Sequence, residues 1–207
     1  MARPRGIERR EQLKEQIIQG AVDALVESGL AAVTTRKIAA KAGVNLATLH
    51  YYFENKDALL IGALESIIAQ MSQALRADLT QQLDIKTCIE SVISNSWRLI
   101  QMTRNIQILQ YELTLYTLRN EDAQSLAKFQ YDSYCKLYED AFRQGLGNAE
   151  APPAIDLADL ARFVVAGMDG LILQYLVDPV EERSTRALKQ LIKAAQGLCC
   201  MDNQKTS

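Results

Sequence analysis

Apolar residues recur at three- and four-residue spacing along almost the whole chain, which is the period of an amphipathic helix. The repeat is clear near the N-terminus, where Leu13, Ile17, Ala21 and Leu25 share one face and the pattern stops at Gly29. After residue 84 the breaks at Asn120, 145–153 and 178–179 separate further helical stretches, with no alternation typical of β-strands. The pattern therefore predicts an all-α protein of about nine helices.

Residues 34–56 form a compact motif within this pattern. Thr34 is a favourable N-cap, Ile38 and Ala39 begin an apolar stripe, and Gly43 stands where the chain must leave the helix with a positive φ. Asn45 is placed to cap a second helix. The stretch predicts two short helices, the first ending at Ala42, joined by a tight turn.

The second short helix has a buried side and a free side. Leu49 and Phe53 lie four residues apart and face the first helix, whereas Ala47, Thr48 and Tyr51 point away from that pair. A small residue, a hydroxyl group and an aromatic ring on one face suit the ~12 Å major groove, where such groups meet base edges and thymine methyls. We interpret the segment as a DNA-binding helix-turn-helix. Two ordinary helices of an all-α core are the alternative.

The residue string itself resembles a known family. Residues 34–39 (TTRKIA), 42–44 (AGV), 48–53 (TLHYYF) and Lys56 are similar to the helix-turn-helix of the tetracycline-repressor (TetR) family. The similarity runs from about Arg9 to Leu60, and beyond it only the layout agrees. It implies a transcriptional regulator, usually a repressor, with an N-terminal DNA-binding domain in 1–56 and a C-terminal effector-binding and dimerisation domain in 57–207.

The same resemblance implies roles for individual residues. Thr35 and Thr48 correspond to phosphate contacts, Arg36 to a base contact, and Tyr52 and Lys56 to contacts with the DNA backbone. His50 departs from the tyrosine usual at its position, so readout there is expected to use methyl contacts and DNA shape. The complete expected DNA-binding set is Arg3, Arg5, Thr35, Arg36, Asn45, Ala47, Thr48, His50, Tyr51, Tyr52 and Lys56.

The first eight residues favour an arm over the start of a helix. Arg3 and Arg5 flank Pro4, and Gly6 follows. A basic arm can enter the minor groove, where arginine responds to groove width. A solvated tail is the equal alternative.

The C-terminal part is predicted to hold the effector. Helices over 89–102 and 105–118 are rich in Ile, Leu and Tyr on more than one face, and the helix over 121–144 is amphipathic with a tyrosine-rich side. A pocket between these helices is expected to be lined by aromatic residues with few polar groups. Each candidate also fits plain core, and the low charge favours a neutral or weakly polar compound. The candidates are Trp97, Met102, Gln110, Tyr111, Tyr131, Tyr134 and Met168.

The last two helices predict a homodimer. Their apolar stripes are wide enough for two packing partners, so the pair can form a four-helix interface with its copy. The alternative is that both stripes pack inward. The expected interface residues are Val164, Met168, Gly170, Leu171, Tyr175, Leu188, Leu191, Ile192 and Ala195.

Amino-acid composition indicates which part of the chain meets DNA and argues against one class of protein. Residues 1–56 carry nine Lys/Arg and six Asp/Glu, a net +3, whereas 57–207 carry 14 and 19, a net −5. The basic part is therefore the part expected to meet phosphate, with affinity depending on placement more than on bulk charge. His50 is the only histidine, and the chain has no glycine-rich phosphate loop or Glu-x-x-His pair, which argues against an enzyme.

The other classes considered are a helical ligand carrier without DNA binding and a helical adaptor. Cys88, Cys135, Cys199 and Cys200 show no metal-ligand spacing, so neither a metal nor a cofactor is expected. An adjacent redox-sensitive pair at Cys199 and Cys200 is the minor alternative to core cysteines. Without a signal peptide or an uninterrupted apolar span, the sequence predicts a cytosolic protein with no membrane partner.

Overall fold

The computed structural model describes residues 5–77, 83–120, 124–147 and 154–200. Over these residues every regular element is an α-helix, which confirms the all-α prediction. The helices are α1 (Arg5–Ala32), α2 (Thr35–Lys41), α3 (Leu46–Tyr52), α4 (Lys56–Ala77), α5 (Ile85–Met102), α6 (Arg104–Arg119), α7 (Gln124–Leu146), α8 (Leu157–Val177) and α9 (Glu181–Cys200).

The helix boundaries around the turn agree with the sequence. The Thr34 side chain accepts a hydrogen bond from the Lys37 backbone N–H at 3.3 Å, and Asn45 Oδ1 accepts one from Thr48 N at 2.7 Å. Gly43 has a φ of 65°, the left-handed conformation that glycine adopts without steric cost. The predicted caps and turn are therefore confirmed.

The start of α1 corrects the sequence-based expectation. We expected residues 1–8 to form an arm, but the helix already includes Arg5. Glu8 in the first turn interacts favourably with the N-terminal dipole, which favours this early start. Arg3 lies outside the described residues.

The chain packs as two compact units. The first combines Met1–Gln70 with Ile108–Gln130, and the second combines Met71–Gln107 with Tyr131–Ser207. The first unit thus takes in more than the expected 1–56 domain, because Leu59, Leu60 and Leu64 of α4 are buried in it. The functional boundary after Lys56 stays a prediction.

A close contact holds the helix-turn-helix in the first unit. A Cβ atom added to Gly20 of α1 would lie 2.6 Å from both the backbone N and the Cβ of Ala42, so α1 and the end of α2 approach more closely than any other residue type permits. One turn earlier, Gln16 Nε2 donates to the Ala42 carbonyl at 2.6 Å. Buried Ile17, Leu49 and the other apolar side chains of this core then fill the space beside the contact.

The second unit is built around α5, α8 and α9. Helix α9 packs against both α5 and α8, and Leu191 of α9 lies directly over Gly167 of α8. Cys88 and Cys199 are buried in this unit, and burial raises the pKa of the Cys88 thiol to about 12. A thiol with this pKa stays protonated at neutral pH, so Cys88 is chemically inert there.

Helices α4 and α8 are long and apolar enough to cross a membrane when judged by length and composition alone. The core helix of a soluble protein passes the same test. The observation is therefore weak evidence for a membrane protein.

Gly20→Ala should destabilise the protein by about 1 to 3 kcal/mol, because the added methyl group overlaps the Ala42 backbone. Gly62→Ala is the matched control in the same unit: its Cβ would lie 3.4 Å from Ile18, an ordinary contact, and alanine favours the helix. Urea unfolding followed by circular dichroism measures both. Equal stability of the two variants would contradict the close-contact interpretation.

Candidate functional site

Helix α3 presents an aromatic surface to solvent. Tyr51 is 68% exposed and stands edge-on to Tyr52, with the ring centroids 5.2 Å apart. Ala47 and His50 are exposed on the same short helix, whereas Thr48 is half-buried. The expected recognition face is therefore free to meet a ligand as large as a duplex.

Helix α1 contributes a residue that sequence reasoning missed. The guanidinium carbon of Arg10 lies 5.4 Å from the centroid of the Tyr51 ring, within cation–π distance. This contact places a positive charge beside the exposed face of α3. The Arg9-Arg10 pair was a signal in the sequence, but only the packing of α1 against the motif shows which arginine reaches it.

Arg36 on α2 is the exposed cation of the motif that is left free. It makes no hydrogen bond or ion pair with any residue in the described part of the chain, and Thr35 beside it is half-buried. A guanidinium group that is unpaired and exposed keeps all of its donors available for an acceptor.

The lysines of the motif, by contrast, contact the protein. Lys37 Nζ donates to the Ala32 carbonyl at 3.0 Å, and Lys41 Nζ pairs with Glu27 at 2.7 Å. The second contact lowers the pKa of Glu27 and raises that of Lys41, in each case through their hydrogen bond. Lys56 Nζ donates to the Leu30 carbonyl at 3.4 Å, so the expected phosphate anchor also has a partner in the protein.

A carboxylate far away in sequence secures the end of α1. Gly29 interrupts α1 with a φ of 71°, and the next backbone N–H, that of Leu30, donates to Glu112 Oε2 at 2.8 Å. Nearby, the Tyr116 hydroxyl donates to Asp57 Oδ1 at 3.3 Å. These α6 residues border a surface cleft of about 370 Å³ lined by Leu30, Ala31, Lys56, Glu112, Leu115, Tyr116, Arg119 and Asn120. No local sequence signal identifies Glu112, because its partner is 82 residues away.

The expected effector residues do not form one set. Gln110 and Tyr111 belong to the first unit, whereas the other candidates belong to the second. Trp97 and Met168 are buried there, and the rings of half-buried Tyr131 and Tyr134 meet edge-on at 5.9 Å. Met102 corrects the expectation, since its side chain is 74% exposed at the end of α5 and lines no interior space.

The expected dimer residues also need correction. Five of them point into their own subunit: Val164, Met168, Leu188, Ile192 and Ala195 are all buried. Gly170 is exposed with nothing within 4 Å of an added Cβ, and Leu171, Tyr175 and Leu191 are half-buried. The exposed apolar stripe of α8 instead consists of Phe163, Ala166, Gly170, Leu173 and Val177. Its members follow three-four spacing, but on a different face from most of the residues that we expected.

Comparison with protein families identifies both parts of the chain. Residues 17–63 match the family of bacterial regulatory proteins, tetR family. Residues 92–199 match the C-terminal domain of BetI-type transcriptional repressors, which alone covers more than half of the chain. The protein is a TetR-family transcriptional regulator.

Curated relatives span most of the regulator. It is 27% identical over 187 residues to the nicotine-responsive transcriptional repressor HdnoR of Paenarthrobacter nicotinovorans, covering 87% of this chain and 92% of the relative. It is also 27% identical over 154 residues to the fatty acid metabolism regulator protein of Bacillus subtilis, covering 73% and 77%. Family and relatives are transcriptional regulators, a class that acts by binding operator DNA and small molecules.

Solved structures share the fold of the regulator. The FadR regulator of Bacillus subtilis, solved with stearoyl-CoA, matches with a TM-score of 0.66 at 22% identity, covering 86% of this chain and 97% of that one. A TetR-family regulator from Rhodococcus matches with a TM-score of 0.71 at 18% identity, covering 91% and 99%. These likenesses support the arrangement of an N-terminal helix-turn-helix followed by a helical C-terminal domain.

Arg36→Ala in the regulator should cost about 1 to 3 kcal/mol at one base position of each half-site and relax the preference there, because the free guanidinium is expected to read a base edge. Lys56→Ala is the comparison: it should weaken all sequences alike and reduce the slope of log affinity against log salt by about 0.9 per subunit. Binding to an operator library at several salt concentrations measures both effects. An equal loss of affinity for all sequences in Arg36→Ala would exclude base readout by Arg36. An unchanged salt slope in Lys56→Ala would mean that Lys56 contacts Leu30 but no phosphate.

Glu112→Ala should destabilise the first unit by about 1 to 3 kcal/mol, since the Leu30 N–H then loses its acceptor. Glu112→Gln keeps a carbonyl oxygen at the same place and is expected to retain most of the stability. Amide hydrogen exchange at Leu30 checks the assignment directly, because protection there should fall for Ala and persist for Gln.

Proposed function

We propose that the protein is a ligand-responsive transcriptional repressor that binds palindromic operator DNA as a homodimer and releases it when a small molecule binds. The observation that carries the proposal is the free surface of the helix-turn-helix. Arg36, His50 and Tyr51 are exposed together on two short helices whose buried sides are fully packed. Surfaces of this composition contact bases and phosphates in the major groove.

The proposed roles divide into reading and positioning. Arg36 reads a base, and Ala47, His50 and Tyr51 contribute shape and methyl contacts. Thr35, Asn45, Thr48, Tyr52 and Lys56 position the unit on phosphates, with Arg3 and Arg5 at the N-terminus. Arg10 joins them, because its cation–π contact already brings it beside Tyr51. Phosphate contacts supply affinity without sequence information, so the reading residues are few.

Dimerisation is proposed through the exposed stripe of α8 together with α9. Leu173 and Val177 are 52% and 80% exposed, an unusual amount for aliphatic side chains that follow one helical face. Gly170 lies in the middle of this stripe and leaves room for a second helix to approach. A twofold arrangement would present two recognition helices about 34 to 36 Å apart, or at a related spacing, on one face of the DNA.

The effector is proposed to act by linkage. One relative carries the name nicotine-responsive repressor and one structural neighbour was solved with stearoyl-CoA, so likeness does not define the compound. If an effector weakens operator binding tenfold, operator must weaken effector binding tenfold, a coupling of about 1.4 kcal/mol. Reciprocity holds whatever structural path connects the sites.

We further propose a cytosolic protein that is not an enzyme and needs no cofactor or membrane. The alternative is a helical ligand-binding protein or enzyme without DNA binding. That class gives no physical reason for an unpaired Arg36 and an exposed Tyr51 within one helix-turn-helix.

A gel-shift titration against the DNA upstream of the protein's own gene tests the function. A retarded band that salt weakens, and that Arg36→Ala weakens further, is the expected result. A protein that retards no fragment at low salt would support the alternative class.

Gly170→Glu should convert the dimer of about twice 23.1 kDa into monomer, because the change buries a charge in the proposed interface without touching its own subunit. Ala158→Glu is the matched control, since it adds the same charge at an exposed position off the stripe near the start of α8. Light scattering measures the mass of each. A monomeric wild type, or a dimer that survives Gly170→Glu, would place the interface elsewhere.

A further inference from the structure

Trp97 carries a buried hydrogen-bond donor that no described residue accepts. The side chain is only 4% exposed, and its indole Nε1 is the single buried side-chain nitrogen or oxygen without a partner among the residues that the structure describes. Buried tryptophan N–H groups ordinarily find an acceptor, because an unsatisfied donor costs free energy. Such an exception leaves the indole N–H open to an acceptor from outside the chain.

The polar side chains near Trp97 already have hydrogen-bond partners. Ser96 Oγ donates to the Val92 carbonyl at 2.7 Å, and Tyr138 is hydrogen-bonded to Ser96. Burial raises the pKa of the Tyr138 hydroxyl to about 12, so this pair stays neutral. Neither group needs the indole N–H as a partner.

One ring stands directly against Trp97. The Tyr175 ring of α8 meets it edge-on, with the centroids 5.4 Å apart and the planes at 67°. Helical spacing places Ile93 and Ile100 on the Trp97 side of α5, and Met168 on the Tyr175 side of α8. The surroundings of the indole are thus aromatic and aliphatic.

Close to the two rings, these faces carry aliphatic side chains, and their acids, Glu90 of α5 and Asp178 after α8, are exposed. Arg98, the next residue on α5, is exposed, and Asp169 of α8 lies about 100° round the helix from Met168. The Asp169 pKa is raised by burial and lowered in part by a hydrogen bond from Tyr131, so this acid has its own partner. A charged group placed beside Trp97 would lose its hydration, and Asp169, which acts electrostatically on the nearby Tyr138, is already hydrogen-bonded to Tyr131.

We propose that the Trp97 indole N–H donates to the effector, and that the effector is an uncharged compound with a hydrogen-bond acceptor on a flat apolar body. A pyridine-type ring nitrogen, a carbonyl or an ether oxygen meets this description. The proposal rests on the proposed function, because it assigns the chemistry of the compound to which the repressor responds. It also assigns the orientation of that compound, with the acceptor at Trp97 and the body beside Tyr175.

The chain offers a direct measurement, because Trp97 is its only tryptophan. A ¹H–¹⁵N spectrum of the full-length protein therefore contains one indole N–H signal, which needs no assignment. Quinoline and naphthalene are the probes: they share size and shape, but only quinoline has a ring nitrogen to accept, and it is uncharged at neutral pH. Quinoline should move the indole proton signal downfield, whereas naphthalene should not.

Affinity provides the second measurement. Equilibrium dialysis should show wild type preferring quinoline on the order of five- to tenfold, the ratio that one hydrogen bond supplies. Trp97→Phe keeps an aromatic ring but removes the donor, so the two probes should bind it about equally. Tyr116→Phe is the matched control: it lies in the first unit, outside this site, keeps its ring and should keep both the preference and the downfield shift.

The outcomes separate the two proposals. Equal binding of both probes, binding of neither, or a preference that persists in Trp97→Phe would overturn the assignment to Trp97. A preference through Trp97 with unchanged operator affinity would leave the site but remove its role in induction. Failure of wild type to bind operator without any probe would count against the proposed function and not against the acceptor site.

Discussion

The arrangement of the DNA-binding surface depends on the close approach of α1 to the end of α2. Helices α2 and α3 have seven residues each, too few to be stable alone in water. Their orientation therefore comes from packing, and the narrowest point of that packing is Gly20 against Ala42. Gln16 strengthens the same point by donating to the Ala42 carbonyl, which α2 leaves without a helical partner. These contacts therefore set the direction in which the exposed side chains of α3 point.

The lysines of the helix-turn-helix form contacts with nearby groups of the protein. Lys37, Lys41 and Lys56 all contact protein groups, two of them at the carbonyl groups that close α1. Their charges still contribute to a positive surface, but the contacts that hold these side chains in place stabilise the fold. Arg36 is the cation of residues 34–56 that is left unpaired, which explains how a net charge of only +3 over residues 1–56 is compatible with specific DNA binding: placement matters more than the total. Glu112 adds a carboxylate to this network by capping the segment after the Gly29 break.

The second unit combines complete packing with two exceptions. Its buried residues interlock closely, as Gly167 beneath Leu191 illustrates, and its buried polar side chains are hydrogen-bonded within the described residues apart from Trp97. The other exception is the apolar stripe that α8 leaves in solvent. Natural sequences break local rules mainly where a ligand or partner completes the structure, so the indole and the stripe are the two places in this unit where function is expected.

The sequence by itself determined the helical class, the caps at Thr34 and Asn45, the turn at Gly43 and the resemblance to the TetR family, because these features depend mainly on local sequence. Only the tertiary structure decided which face of α8 is exposed, that Gln110 belongs to the first unit, and that Lys56 and Glu112 close the end of α1. An apolar stripe wide enough for two partners has the same periodicity whichever side turns inward. Contacts between residues 26 or 82 positions apart leave no trace in local spacing, so packing alone selects them.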